Sequence, residues 1–386
     1  MSLRKQILIV VVIGFRFFSG ERVFAQTLMD KAATAETKAL YANLKYISAK
    51  GTMFGHQEDL AYGVGWKEVA GRSDVKEVCG DYPAVHGWDI GKEGLPENVD
   101  GVRFSNMQQW IREVYGRGGV NTISWHVNNP VSGKSAWDTT RAVVHILPGG
   151  KLHNDFLIQL DHVAAFIAGC TNGETPIPII FRPYHEHNGT WFWWGRNHCT
   201  EQEYIQLWQF TVDYLKNTKG LHHIIYAFSP DRSRMDVTKL KASFLYAYPG
   251  DDYVDVMGLD DYMDVGVSWN KRPRQQQAND FTEALRTLTQ LSIEKNKPAA
   301  LTETGLERIT NDKWFTEVVL KQLKQNKDIQ LAWFLVWRNA NEKHHYAPFR
   351  GHLSEKDFVQ FYNDPLSFFE ADLRNIYKSD KLEIKP

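Results

Sequence analysis

Two glutamates stand where the chain stops being apolar. The first follows Ile177, Ile179, Ile180 and Phe181, a run that turns within five residues into Arg182, Pro183, Tyr184, His185, Glu186 and His187. The second, Glu303, closes another apolar run and is followed by Thr304 and Gly305. A short β-type run that ends in charge delivers polar side chains to the mouth of a cavity. Breaking a glycosidic bond takes one carboxylic acid to protonate the leaving oxygen. It takes a second carboxylate to attack the anomeric carbon or to activate a water. Trp191, Phe192, Trp193 and Trp194 follow the first glutamate, with Gly189 and Gly195 bending the chain around them. Flat apolar rings beside a carboxylic acid suit a sugar, which has one face to stack and hydroxyls to hydrogen-bond.

The elements that must hold these residues alternate. Strands are expected at 52–57, 83–90, 120–125, 177–181, 223–228, 254–259, 298–302 and 329–336. Helices are expected at 35–50, 106–117, 155–168, 201–217, 279–296, 313–325 and 367–377. Thr200 and Glu203 have capping-box spacing at the head of the fourth helix. Eight βα units in one chain predict a single-domain (β/α)8 TIM barrel of the α/β class. The absence of a glycine-rich fingerprint after the first strand argues against nucleotide binding. In such a barrel the site lies at the C-terminal strand ends. Here those ends are His56, Trp88, His126, Glu186, Asp231, Tyr262, Glu303 and Trp337. His56 and Trp88 read equally as subsite or packing residues, whereas Trp193, Trp194 and Trp333 read as core and His187 as a loop residue. In an extended segment alternate side chains point opposite ways, so His185 and His187 would share one face and Glu186 the other. That arrangement suits a shared metal poorly.

The combination of His185-Glu186 after strand four, Trp191 five residues on, Tyr262 after strand six and Glu303 within Thr302-Glu303-Thr304-Gly305 resembles glycoside hydrolase family 26. That family consists mostly of β-mannanases and belongs to a clan of retaining (β/α)8 glycosidases. The resemblance spans about His56 to Trp337. It implies Glu186 as acid/base and Glu303 as nucleophile, with Tyr262 hydrogen-bonding the nucleophile and His185 serving the acid/base side or the sugar. It also implies Trp191 and Trp337 as sugar platforms, and His126, Arg338 and Asp260 as further substrate-binding positions. The expected substrate is β-mannan polysaccharide or manno-oligosaccharide, cut at β-1,4-mannosidic linkages in mannan, glucomannan or galactomannan. A same-family hydrolase acting on another β-glucan or β-xylan is the alternative within the class. A non-catalytic glycan-binding barrel is the alternative outside it, and it predicts loss of one carboxylate, yet both are present.

Composition narrows the rest. Aromatics make up 13% of the 386 residues and the net charge is −1, which does not supply the basic surface that nucleic-acid binding needs. Residues 1–25 read as a secretory signal: Arg4 and Lys5, an apolar run too short to span a bilayer, then Val23-Phe24-Ala25. The catalytic domain is expected over 26–386, exported to the periplasm or beyond the cell, monomeric, and without stable membrane association after processing. Three cysteines, Cys79, Cys170 and Cys199, allow at most one disulfide and match no zinc spacing. Neither metal nor organic cofactor is expected, because two carboxylates can supply acid, base and nucleophile.

Overall fold

The computed structural model describes residues 28–379 and 381–384; the expected secretory signal lies outside them. Eight parallel strands form the centre: β1 Thr52–Gln57, β2 Val85–Asp89, β3 Val120–Trp125, β4 Ile179–Pro183, β5 Ile224–Phe228, β6 Val256–Asp261, β7 Ala299–Thr304 and β8 Trp333–Val336. Each pairs with its successor, and β8 returns to β1, with Met53 opposite Trp333 and His56 opposite Val336. The sheet is therefore a closed (β/α)8 barrel, as the alternation of elements predicts.

Every residue of the eight strands is buried, and the period of two divides them between two cores. Met53, Val85, Val120, Ile180, Ile225, Val256, Ala300 and Trp333 fill the barrel itself. Their neighbours Phe54, Ile123, Phe181, Tyr226, Met257, Leu301 and Phe334 pack outward against the helices. The helix Ala35–Ser48 begins at Thr34, whose side chain accepts from the Thr37 amide. It lays Leu40, Tyr41, Leu44 and Ile47 onto the inner core and stoppers the barrel's N-terminal end.

The surrounding helices include Phe104–Arg117, His153–Ala168, Glu201–Asp213, Arg274–Lys295 and Glu355–Tyr362. Glu201–Asp213 carries the expected capping box: Thr200 Oγ1 accepts from the Glu203 amide and the Glu203 carboxylate accepts from that of Thr200. The helix expected at 367–377 does not form. Ser367–Phe368 adds a parallel strand beside Thr52–Met53, and Leu373–Arg374 pairs antiparallel with Glu383–Ile384. The closing helix lies earlier, at Glu355–Tyr362, where Phe358 and Phe361 meet Phe54 in the outer core. All three cysteines are free thiols. Among the described residues no helix is long and apolar enough to cross a membrane.

Candidate active site

The alternation that fills the barrel with apolar side chains also aims polar ones into its mouth. On β4 the inward positions run Ile180, Arg182, and on β6 they run Val256, Gly258, Asp260. Arg182 and Asp260 meet at 2.8 Å. On β7 simple alternation would turn Glu303 outward. Instead the register shifts: Leu301 faces Leu259, but Glu303 faces Asp260, so Thr302 is an extra residue. A bulge of this kind re-aims a side chain, and it brings Glu303 onto the second guanidinium nitrogen of Arg182 at 2.5 Å. Tyr262, just past β6, donates to the other Glu303 oxygen at 3.4 Å.

Glu186 arrives by a different route. β4 ends at Pro183, and Tyr184 and Glu186 both adopt left-handed φ, 49° and 54°, a costly conformation concentrated at functional sites. The turn is held by the Glu186 amide donating to Ser229 O (2.8 Å) and by Asn188 bridging to Asp231. Trp191 folds back and donates its indole N–H to Glu186 at 2.7 Å. It can do so because residue 189 is glycine; a Cβ there would stand 2.4 Å from the Trp191 ring. One carboxylate oxygen from each of Glu186, Asp260 and Glu303 lies within 4.8 Å of the others.

The left-handed turns also break the strand-like alternation expected across 185–187. His185 packs edge-on to His126, with centroids 4.7 Å apart, while His187 stacks on Tyr204 at 4.3 Å and bonds to Tyr246 O. The two imidazoles do not share a face, and they share no ligand position. The positive charge between Asp260 and Glu303 is the Arg182 guanidinium.

Around the carboxylates stands a wall of rings. His126 is held at Nδ1 by Asp89, 2.6 Å away, and is flanked by Phe192, Trp337 and the half-exposed Trp137, on which it stacks at 5.0 Å. Arg338 closes another side, paired with Asp100 at 3.0 Å and bonded to the Tyr62 hydroxyl. Trp191 carries the guanidinium of Arg234 over its ring, 5.2 Å from the centroid. Trp193, Trp194 and Trp333 are buried core. His56 and Trp88 do not face the mouth. His56 pairs with the buried Asp59, and Trp88 stacks on Trp110 of the helix behind it.

Burial dominates the electrostatics. It pushes the Glu186 carboxyl well up, and the charges of Asp231, Asp260 and Glu303 add to it. Burial likewise raises Asp231 to about 6 and Asp260 to about 8, the latter against the opposing pull of Arg182. The His185 imidazole is held well below its usual value, first by burial and then by Arg182 and His126. Burial would lower His126 too, but the Asp89 carboxylate outweighs it and the net shift is upward.

The expected site residues Glu186, Glu303, Asp260, Tyr262, Trp191, His185, His126 and Trp337 thus converge, and Arg338 stands at the edge. Sequence reasoning gave no role to Arg182, Asp89, Asp100, Tyr62 or Trp137. Arg182 lies two residues after Ile180, on the inward face of its strand, but with Ile179 and Phe181 also apolar the sequence does not mark which face that is.

A closed (β/α)8 barrel with clustered carboxylates and aromatic walls at the C-terminal strand ends defines a glycoside hydrolase. The model for glycosyl hydrolase family 26 matches residues 29–365, and the chain belongs to that family. It is 40% identical to a family 26 β-mannanase of Bacteroides ovatus, covering 90% of this chain and 98% of that one with a TM-score of 0.83. It is 32% identical to a modular endo-β-1,4-mannanase from Cellulomonas fimi, covering 93% and 80% of the two chains with a TM-score of 0.81. A mannan endo-1,4-β-mannosidase of Bifidobacterium adolescentis is 34% identical over 365 residues, which are 86% of this chain and 34% of that protein. The chain thus spans about a third of the length of that relative.

Proposed function

We propose that the protein is an endo-acting retaining β-mannanase, with Glu186 as acid/base and Glu303 as nucleophile. The observation that carries the reading is the spacing of the two carboxylates. Oxygens within 4.8 Å of one another fit the roughly 5–5.5 Å of direct attack better than the roughly 6.5–9.5 Å that admits a water. Arg182 and Tyr262 both donate to Glu303, while burial among acids favours a proton on Glu186.

In the first step Glu303 attacks the anomeric carbon as Glu186 gives its proton to the leaving oxygen. In the second, Glu186 takes a proton from water, which releases the sugar from Glu303. Trp337, Trp137 and the free face of Trp191 offer stacking surfaces. His185, packed against His126 and Phe192, backs this wall. The preference for mannan rests on the names of the relatives. Export after loss of residues 1–25, with 26–386 working as a monomeric catalytic domain, completes the proposal.

Proton NMR of the first products released from linear mannan tests the mechanism, and a β-configured reducing end is the expected result. An α-configured first product would remove Glu303 from its role. Comparing mannan, β-glucan and xylan in the same assay tests the substrate. Mass spectrometry of the processed amino terminus, with mannanase activity in the periplasmic or culture fraction, tests export; an intact terminus in a membrane pellet would overturn it.

A further inference from the structure

Glu58 has no part in the chemistry above, yet it is fully buried and takes a left-handed φ of 53° directly after β1. So costly a conformation persists only where its surroundings hold it. The Glu58 carboxyl reaches two residues that between them hold a third. One oxygen, Oε2, accepts from the Tyr62 hydroxyl, and the other, Oε1, accepts from Asn98 Nδ2 at 2.7 Å.

Both arms lead to Arg338, which follows Trp337 at the mouth. The guanidinium nitrogen Nη1 lies 3.3 Å from the Tyr62 hydroxyl oxygen. An arginine only donates, so that oxygen accepts there and its own hydrogen is left for Glu58. The other nitrogen, Nη2, pairs with Asp100 Oδ1 at 3.0 Å. Asp100 sits in a turn that Asn98 ties: Asn98 Oδ1 accepts from the amides of Asp100 and Val102, both at 2.9 Å. Those two bonds settle which end of the Asn98 amide is oxygen, so its nitrogen must face Glu58. Arg338 keeps 24% of its side chain exposed, beside a Trp337 ring that stands against His126. Its remaining N–H groups are open to a ligand in the cleft.

We infer that Glu58 is a positioning residue: its two oxygens hold Tyr62 and the Asn98 turn, and through both they fix the Arg338 guanidinium for a hydroxyl of the bound sugar chain. This role rests on the mannan-cutting activity proposed above, in which Arg338 meets the sugar. Burial and then the Asp100 charge push the Glu58 carboxyl well up, and the bonds from Tyr62 and Asn98 pull against them. With or without its proton a carboxyl accepts on both oxygens, whereas a glutamine amide accepts on only one.

Glu58→Gln therefore keeps the size of the side chain and loses one arm. Asn98 must donate, so the new amide nitrogen falls toward Tyr62 and the hold on Arg338 loosens. Tyr62→Phe removes the same arm without touching Glu58, and keeps the test open should Glu58→Gln not fold. In 15N-arginine-labelled protein at low temperature, the Nη signals that vanish in Arg338→Lys should be resolved in the wild type and merge in both variants. Signals already merged in the wild type, or still resolved in either variant, would overturn the role. This measurement needs no substrate, so it stands whether or not the protein cuts mannan. On mannan, Glu58→Gln should raise KM about three- to tenfold with kcat nearly unchanged, as when binding common to substrate and transition state is lost. In an Arg338→Ala background the same substitution should add nothing further. An equal effect in both backgrounds would mean that Glu58 serves the fold and not Arg338, and no effect in either would mean that it serves neither; both results would sink the assignment.

Discussion

Glu186 holds its proton because of where its backbone turns as much as because of what surrounds it. The left-handed turn at Glu186 sets the carboxyl beside Asp231, Asp260 and Glu303, and the indole N–H of Trp191 is the one bond there that favours its ionised form. Trp191→Phe keeps a ring and loses that bond. Glu186 should then keep its proton to higher pH, and the alkaline limb of kcat/KM on mannan should move upward; an unchanged or lower limb would contradict the account. Glu186→Ala should cost roughly 10²–10⁴-fold on mannan and far less in the first step on an activated aryl glycoside. Glu303→Ala should leave neither substrate with measurable turnover. The two glutamates stood out in the sequence because each follows closely on an apolar run. Arg182 was harder to read: a charge at the end of a strand looks the same from the sequence whether it points into the barrel or out to solvent.

At the scale of elements, all eight strands could be read, some such as β5 and β8 from continuous apolar runs and others such as β2 and β3, which carry buried polar residues, from the regular alternation of strand and helix. The β7 bulge could not, because nothing in Ala300-Leu301-Thr302-Glu303 marks the skipped residue that turns Glu303 inward. The same holds for the left-handed turns after β4, where the expected alternation of His185 and His187 failed. The misplaced final helix has a plainer cause. Ser367–Phe368 is drawn into pairing with β1, and that tertiary contact overrides local helical spacing. The loop after β4 makes its own prediction. In Gly189→Ala the new methyl meets the Trp191 ring at 2.4 Å, so the ring must move off Glu186. A displacement of that order should lower kcat/KM on mannan about 10²-fold, while thermal melting changes little. Normal kinetics would show that the loop relaxes without disturbing the acid.

The whole molecule stores many protons. Burial raises Asp231, Asp255 and Asp264 to about 6, and Asp260 and Glu93 to about 8. An acid whose folded value is raised contributes stability that is complete below its unfolded value near 4 and is lost as pH rises through the folded one. The melting temperature should therefore be higher at about pH 6 than at about pH 9, and calorimetry that finds the reverse would show that these acids are ionised in the fold. Packing sets the scale against which that loss is felt. Phe54, ringed by Phe315, Phe334, Phe358, Phe361 and Phe369, should cost about 3–5 kcal/mol as Phe54→Ala in denaturant unfolding. Closure of the barrel through β8 and β1 has a consequence during synthesis. The strand Thr52–Gln57 leaves the ribosome early, yet one flank of it stays unpaired until Trp333–Val336 has been made. A nascent or truncated chain ending before Trp333 therefore carries open strand edges at both ends of its sheet, ready to join those of another copy. Chaperone dependence and insolubility should persist across a nested set of C-terminal truncations and end only when that last strand is restored.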